Sequence, residues 1–311
     1  MPDLTVVLAS PRGFCAGVER AVRTVEEALA VHGAPVYVRH EIVHNAHVVR
    51  RLQAMGAVFV EDVNLAPADR PIVFSAHGAP KSAHDAAALR MRSVIDATCP
   101  LVHKVHAELR RHVARGRHVI LVGHGGHPEV EGTMGQVPEG AVTLVETLAD
   151  IAALSPPAGA LAYATQTTLS VDDVSAAVAA LQARFPQIEG PKGGDVCYAT
   201  QNRQDAVKAV APRCDMVLVF GSPTSSNSRR LVDVARASGC PDAELVDDPR
   251  AFDLARLQSV ARLGVTSGAS APEELVEDFL ARLALDFRLV VETVETVKED
   301  VFFKRPLIAA E

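Results

Sequence analysis

Short apolar runs recur along the chain with little polar interruption. They are TVVLA (5–9), PVYV (35–38), AVFV (57–60), PIVFS (71–75), SVID (93–96) and HVILV (118–122), then AVTLV (141–145), LAYAT (161–165), MVLVF (216–220), AELV (243–246) and RLGVT (262–266). Runs of this length, rich in Val, Ile and Leu, suit strands buried on both faces. The stretches between them change period. VERAVRTVEEALAVHG (18–33) and LVHKVHAELRRHVARG (101–116) carry apolar residues at helical spacing and stop on glycine. SVDDVSAAVAALQARF (170–185) opens on a serine cap followed by acids that complement the helix dipole. Strand alternating with helix predicts a parallel α/β fold.

In parallel α/β folds, ligands bind at the loops that follow the carboxyl ends of strands. Those loops read SPRGFCAGVE, SAHGAP, ATCPLVHK, GHGGHPEVEG, ATQTTLS, GSPTSSNS and TSGASAP. Each combines small residues with hydroxyls, imidazoles or a thiol. They also repeat. His44 follows Cys15 by 29 residues, His127 follows Cys99 by 28, and Ser225 follows Cys197 by 28. A second polar loop comes later in each third, at His77, Thr167 and Ser270. We read three similar α/β units, 1–97 with Cys15, 98–193 with Cys99 and 194–283 with Cys197, and a tail over 284–311. Three such units are expected to turn their polar loops toward one central site. The tail, DFRLVVETVETVKEDVFFKRP (286–306), alternates at first like a strand that docks on a sheet edge or covers the site.

Composition narrows the function. Of 311 residues, 48% are apolar and 22% charged, as in an ordinary soluble globular protein. A formal net charge of −7 argues against a nucleic-acid surface. No stretch approaches the roughly 18–20 apolar residues of a membrane span. The start, MPDLTVVLASPRG, lacks the features of a signal peptide, so a cytoplasmic protein is expected. Five widely spaced cysteines in such a chain argue for free thiols rather than a disulfide framework.

Cys15, Cys99 and Cys197 each stand just before a helical stretch. A helix N-terminus exposes unpaired N–H groups and partial positive charge, which favours thiolate over thiol. Three such thiolates suit a soft metal or an iron–sulfur cluster, and in a four-iron cluster they leave one iron open to a substrate oxygen. Zinc held by the three cysteines and one of His44, His77 or His127 is the rival. A third reading, buried apolar cysteines, fits Cys214 and Cys240 well. No C-x-x-C run or ferredoxin spacing chooses among these.

The remaining loop chemistry suits a diphosphate. Glycine and serine loops at helix starts supply N–H donors, and hydroxyls add more. His44, His77 and His127 add imidazoles, and SSNS (225–228) adds hydroxyls and an amide before a helix. No P-loop sequence occurs. Each loop taken alone also reads as an ordinary helix cap. In GHGGHPEVEG (123–132), Glu129 or Glu131 is a candidate proton donor if burial keeps its pKa up. Glu129 is preferred because it lies nearer the strand end; Glu131 suits the surface, and His124 a structural role.

These motifs carry a resemblance. PRGFCAGVERA, YVRHEIVHN, FSAHGAP, DATCPLV, GHGGHPEVEGTMGQ, TQTTLSVDD, CYATQNRQ, GSPTSSNSRRL and TSGASAP, in this order over about residues 4–283, closely resemble the 4-hydroxy-3-methylbut-2-enyl diphosphate reductase family. The last 25 or so residues match it weakly. The resemblance implies a trefoil of three α/β domains around a [4Fe-4S] cluster held by Cys15, Cys99 and Cys197. It implies that His44, His77, His127, Ser225, Ser226, Asn227 and Ser270 bind the diphosphate, with Thr168 as a pocket residue. Glu129 and Thr167 match the acid and hydroxyl that deliver a proton near the substrate's C4 hydroxyl. The implied reaction is a two-electron, two-proton reductive dehydroxylation of an allylic diphosphate, the last step of the methylerythritol phosphate route to isoprenoids. The chain has no flavin or nicotinamide fingerprint, so electrons would come from an external flavodoxin or ferredoxin. Two competing readings are a zinc hydrolase of a phosphorylated small molecule and a non-catalytic sensor; the absence of a basic patch weighs against a sensor that binds DNA.

Overall fold

The computed structural model describes residues 1–308; the last three residues of the expected tail lie outside the described residues. In chain order the elements are β1 (Asp3–Ser10), α1 (Ala16–His32), β2 (Val36–Arg39), α2 (Ala46–Ala54), β3 (Ala57–Val60), β4 (Pro71–Phe74), α3 (Lys81–Arg90), β5 (Ser93–Asp96), α4 (Pro100–Ala114), β6 (His118–Val122) and α5 (Pro128–Met134). There follow β7 (Val142–Val145), α6 (Leu148–Ala153), β8 (Leu161–Thr165), α7 (Val171–Arg184), α8 (Tyr198–Val210), β9 (Met216–Phe220), α9 (Ser226–Ala237), β10 (Ala243–Val246), β11 (Arg262–Ser267), α10 (Glu274–Leu283) and β12 (Arg288–Glu295). The eleven apolar runs form β1 to β11, and the tail supplies β12. The α/β class with three parallel sheets is as the pattern predicted.

The chain forms two compact units. The first holds residues Met1–Val18, His44–Val48 and Tyr198–Phe302. Its sheet has the order β10-β9-β11-β1-β12, with every pair parallel. Leu4, Val6 and Leu8 of β1 pack on one face with Leu218, Leu263, Val265 and the edge-to-face pair Phe220–Phe279. Val7 and Ala9 point to the other face, against Ala206 and Val210 of α8. Alternate residues of one strand are therefore apolar on both sides, the mark of a sheet covered twice. β12 is the edge strand, with Leu4 opposite Leu289 and Ser10 opposite Glu295. Charges at Arg288, Glu292 and Glu295 protect that edge from pairing with another chain.

The second unit holds Glu19–Val43, Val49–Cys197 and the chain from Phe303 onward. It contains the sheets β3-β2-β4-β5 and β7-β6-β8, again parallel throughout. Gln136 Nε2 donates to Ala79 O at 2.8 Å and Lys81 N to Gly135 O at 2.9 Å, which joins the loops of these two sheets.

Sheet membership is not continuous in sequence. β1 falls within the expected unit 1–97, yet it pairs with β11 and β12 and not with β2 to β5. The expected third unit thus takes one strand from the start of the chain and another from the tail.

Phe279 is 1% exposed and also meets Phe252 edge-on, with ring centroids 5.9 Å apart. Truncation leaves a cavity among residues that cannot collapse fully. Phe279→Ala is expected to cost about 3–5 kcal/mol, read as a lower midpoint in denaturant titration. A loss below about 1 kcal/mol would mean that this core repacks freely.

Candidate functional site

The three cysteines are held in one common way. Cys15 N donates to Ala269 O at 3.3 Å, Cys99 N to Ala76 O at 3.0 Å, and Cys197 N to Thr167 O at 3.0 Å. Ala269 precedes Ser270, and Ala76 precedes His77. Each cysteine amide is thus tied to one of the second polar loops seen in the sequence. The loop of the first third holds Cys99, that of the second holds Cys197, and that of the third holds Cys15. All three cysteines are half-buried, and none is in a disulfide. Cys15 and Cys197 directly precede α1 and α8, and Cys99 is the N-cap of α4, where its side chain makes no capping bond. Cys15 Sγ accepts from Val18 N at 3.4 Å. That placement favours thiolates. Among the described residues, no group of three or more His, Cys, Asp or Glu side chains forms a ready metal cage, so the fit rests on the donor chemistry of the thiols. Cys240 is buried and Cys214 half-buried, with its thiol pushed up to about 11 by burial and by Cys240. These two do not suit a thiolate role.

In the second unit, GHGGHPEVEG is the turn from β6 into α5. His127 is the N-cap, and its Nδ1 accepts from Glu129 N at 3.1 Å. That bond leaves the proton of the neutral ring on Nε2. His77 meets His127 edge-on with ring centroids 5.8 Å apart, and its Nδ1 lies 3.4 Å from Ser75 Oγ. Gly132 makes this pairing possible. A Cβ there would lie 3.1 Å from Ala79 N and from the Gly78 carbonyl carbon, so α5 rests directly on the backbone of the His77 loop.

Glu129 is buried and gripped by one residue. Thr167 N donates to Oε1 at 2.7 Å, and Thr167 Oγ1 donates to Oε2 at 3.0 Å. Burial raises its pKa to about 7; both Thr167 bonds oppose that rise and the charge of Asp195 adds to it. Glu131 is exposed. Thr168 Oγ1 accepts from Gln166 Nε2 at 3.0 Å, while Gln166 Oε1 accepts from His124 N at 3.0 Å. Gln166 therefore links the two loops, and His124 takes part through its backbone.

In the first unit, Ser225, Ser226 and Asn227 begin α9. Ser225 caps it, accepting from Ser228 N at 3.2 Å, so the cap reading of this serine holds in part. Asn227 is 4% exposed, and neither its Nδ2 nor its Oδ1 has a hydrogen-bond partner. A buried carboxamide left bare is costly unless a ligand meets it. Ser270 Oγ donates to His44 O at 3.0 Å, which sets those two loops side by side.

Asp195 is a residue the sequence reading passed over. Its Oδ2 accepts from Thr165 N at 3.0 Å, two residues before Thr167. Burial raises its pKa to about 6, with Glu108 adding to the rise, while the Thr165 bond and Lys104 oppose it. A carboxylate just before a cysteine carries no recognisable spacing, so no sequence signal pointed to it.

Residues 6–284 match the family model described as LytB protein. The chain belongs to the LytB family. It is 58% identical over 307 residues to the 4-hydroxy-3-methylbut-2-enyl diphosphate reductase of Phenylobacterium zucineum, covering 98% of this chain and 97% of that one. It is 57% identical over 312 residues to the enzyme of the same name from Cereibacter sphaeroides, covering 100% and 98%. Its fold matches the E-1-hydroxy-2-methyl-but-2-enyl-4-diphosphate reductase of Plasmodium falciparum with a TM-score of 0.92 and 36% identity, over 98% of this chain and 96% of that one. These relatives are reductases, which sets aside the hydrolase reading. No described helix is long and apolar enough to cross a membrane.

Two predictions test this LytB site. Gly132→Ala should destabilise by about 1–3 kcal/mol, because backbone meets the new methyl. In an exposed helix the same change stabilises by up to about 1 kcal/mol, so a gain in denaturant midpoint would show that α5 is not seated as described. Glu129 has a folded pKa above the value near 4.5 of a free glutamate. Between pH 4.5 and 7 the folded state then holds more protons than the unfolded one, so stability falls as pH rises. Wild type should lose up to about 3 kcal/mol relative to Glu129→Gln across that window and level off above it. Parallel denaturation curves at pH 5, 6, 7 and 8 read this; a constant difference would contradict the raised pKa.

Proposed function

We infer that this chain reduces (E)-4-hydroxy-3-methylbut-2-enyl diphosphate to isopentenyl and dimethylallyl diphosphates, with loss of the C4 hydroxyl as water. The full-length identity to reductases supports the reaction, and the buried pair Glu129–Thr167 is the observation that carries the residue assignment. The reaction takes up two electrons and two protons. We place it in the cytoplasm, in keeping with five cysteines that form no disulfide.

In this reading Cys15, Cys99 and Cys197 hold a [4Fe-4S] cluster with one iron open to the substrate. When bound, the cluster supplies Lewis acidity and single electrons. Its electrons come from an external flavodoxin or ferredoxin. The chain's own residues bind, orient and protonate. His127 offers its Nε2–H to the diphosphate, and His44, His77, Ser225, Ser226 and Ser270 add donors. Asn227 offers the bare carboxamide described above. Thr168 lines the pocket. Glu129, half protonated near neutral pH, holds the proton that the departing C4 oxygen needs. Thr167 passes or aims that proton, because its hydroxyl already bonds the carboxyl.

Glu129→Gln should lower turnover at least about 100-fold, within the usual range for loss of a general acid. Iron and acid-labile sulfide should stay near wild type in anaerobically purified protein. Near-normal turnover would remove Glu129 from proton delivery. One zinc per chain and no sulfide in the wild type would overturn the cluster assignment.

A further inference from the structure

The motif CYATQNRQ holds two residues that the reaction does not use, Asn202 and Arg203. Arg203 is the largest fully buried side chain of the described residues. Its guanidinium faces the loop that carries Cys15. Nε and Nη2 donate to Gly13 O at 3.0 and 2.8 Å, and Nη2 reaches Phe14 O at 3.3 Å. Nη1 donates to Ala199 O at 2.9 Å, which fixes Arg203 on its own helix α8. The loop has little else to hold it. Gly13 sits at φ +69 and bonds Ser267 O through its amide at 3.3 Å.

A buried guanidinium needs a counter-ion, because an unpaired charge draws water inward or forces a local opening. The tail supplies it. Glu299 Oε1 accepts from Arg203 Nη1 at 3.0 Å and from Asn202 Nδ2 at 3.0 Å. Its side chain is 17% exposed. The backbone delivers it there: β12 runs parallel to β1 as far as Ser10, and Thr296 N then bonds Ser10 O at 3.0 Å. Both residues of the NR pair thus converge on one carboxylate from the segment that the family resemblance covers least.

We propose that Glu299 and Arg203 form a clasp in which the C-terminal tail positions the Cys15 loop. They are positioning residues: neither meets the reacting atoms, and both act through the carbonyls of Gly13 and Phe14. The consequence for catalysis rests on the assignment of Cys15 as a cluster ligand, but the clasp itself does not.

The test separates the two. In the full chain stripped of iron, alkylation of each cysteine by iodoacetamide is followed by peptide mass spectrometry. Glu299→Ala should raise the Cys15 rate about tenfold, as local opening of that loop becomes easier, with Cys99 and Cys197 unchanged. Glu299→Gln keeps an oxygen for Asn202 and Arg203 and should stay within about threefold of wild type. If Glu299→Ala does not fold, Glu299→Asp, whose shorter side chain draws back from Arg203, replaces it with the same expected selectivity. Equal Cys15 rates in all variants would overturn the clasp, and so would an equal rise at all three cysteines. In reconstituted protein, Glu299→Ala should lose iron to a chelator several-fold faster than wild type. Wild-type protein that takes up no cluster would defeat the ligand assignment and leave the alkylation result to decide the clasp.

Discussion

The placement of each cysteine depends on one backbone bond, from its own amide to a carbonyl in a polar loop of a different strand. An amide left unpaired near the protein interior costs more than a made hydrogen bond gains. Each bond therefore fixes where its helix begins and which way its thiol-bearing residue enters the turn. The partners Ala269, Ala76 and Thr167 sit at or beside Ser270, His77 and Thr167. Fixing a cysteine thus also fixes a polar residue next to it. Parallel strands make this economical, since all their carboxyl ends lie on one edge of a sheet and their loops are neighbours by construction.

Glu129 shows how opposing terms are balanced. Burial favours the neutral acid, and two bonds from Thr167 favour the ionised one. Without Thr167 the carboxyl would be a weaker acid, slow to release its proton near pH 7. With more donors it would stay ionised and have no proton to give. One residue donating through both its amide and its hydroxyl leaves the pKa between these limits. The grip also depends on Asp195, whose bond to Thr165 N holds the end of β8 just before Thr167 turns toward α5. Alanine at Asp195 would strip that amide of its partner, so the geometry of the acid is set two residues away from its only direct contact.

Much of this was legible in the sequence. Unbroken Val, Ile and Leu runs named the strands because both faces of each sheet are covered. Cysteine before a helical period named the thiol positions, and Glu129 was preferred over Glu131 on its place after the strand. Pairing choice was not legible. TVVLA at 5–9 looks like any other run, and nothing local says that it joins β11 and β12 instead of β2. Arg203 lies in a polar helix and reads as a surface residue; only the loop folded over it makes it buried. Gly132 reads as a weak helix position, and its meaning comes from the backbone of residues 78 and 79 lying against it.

The long pairing has a consequence for how the first unit forms. β1 is made first, yet its partners β11 and β12 lie more than 250 residues later. The Cys15 loop is bound by Ser267, Ala269, Arg203 and, through Arg203, by Glu299. None of these is near it in sequence. Closing so long a loop carries an entropic cost that the strand contacts repay only once the later strands exist. The β2 to β8 sheets of the second unit involve much shorter separations and need none of those residues. Cys99 and Cys197 are tied by bonds within that second unit, whereas Cys15 has no fixed place until the tail has been made. The first thiol in the sequence is therefore the last of the three to be fixed, and the end of the chain completes its surroundings.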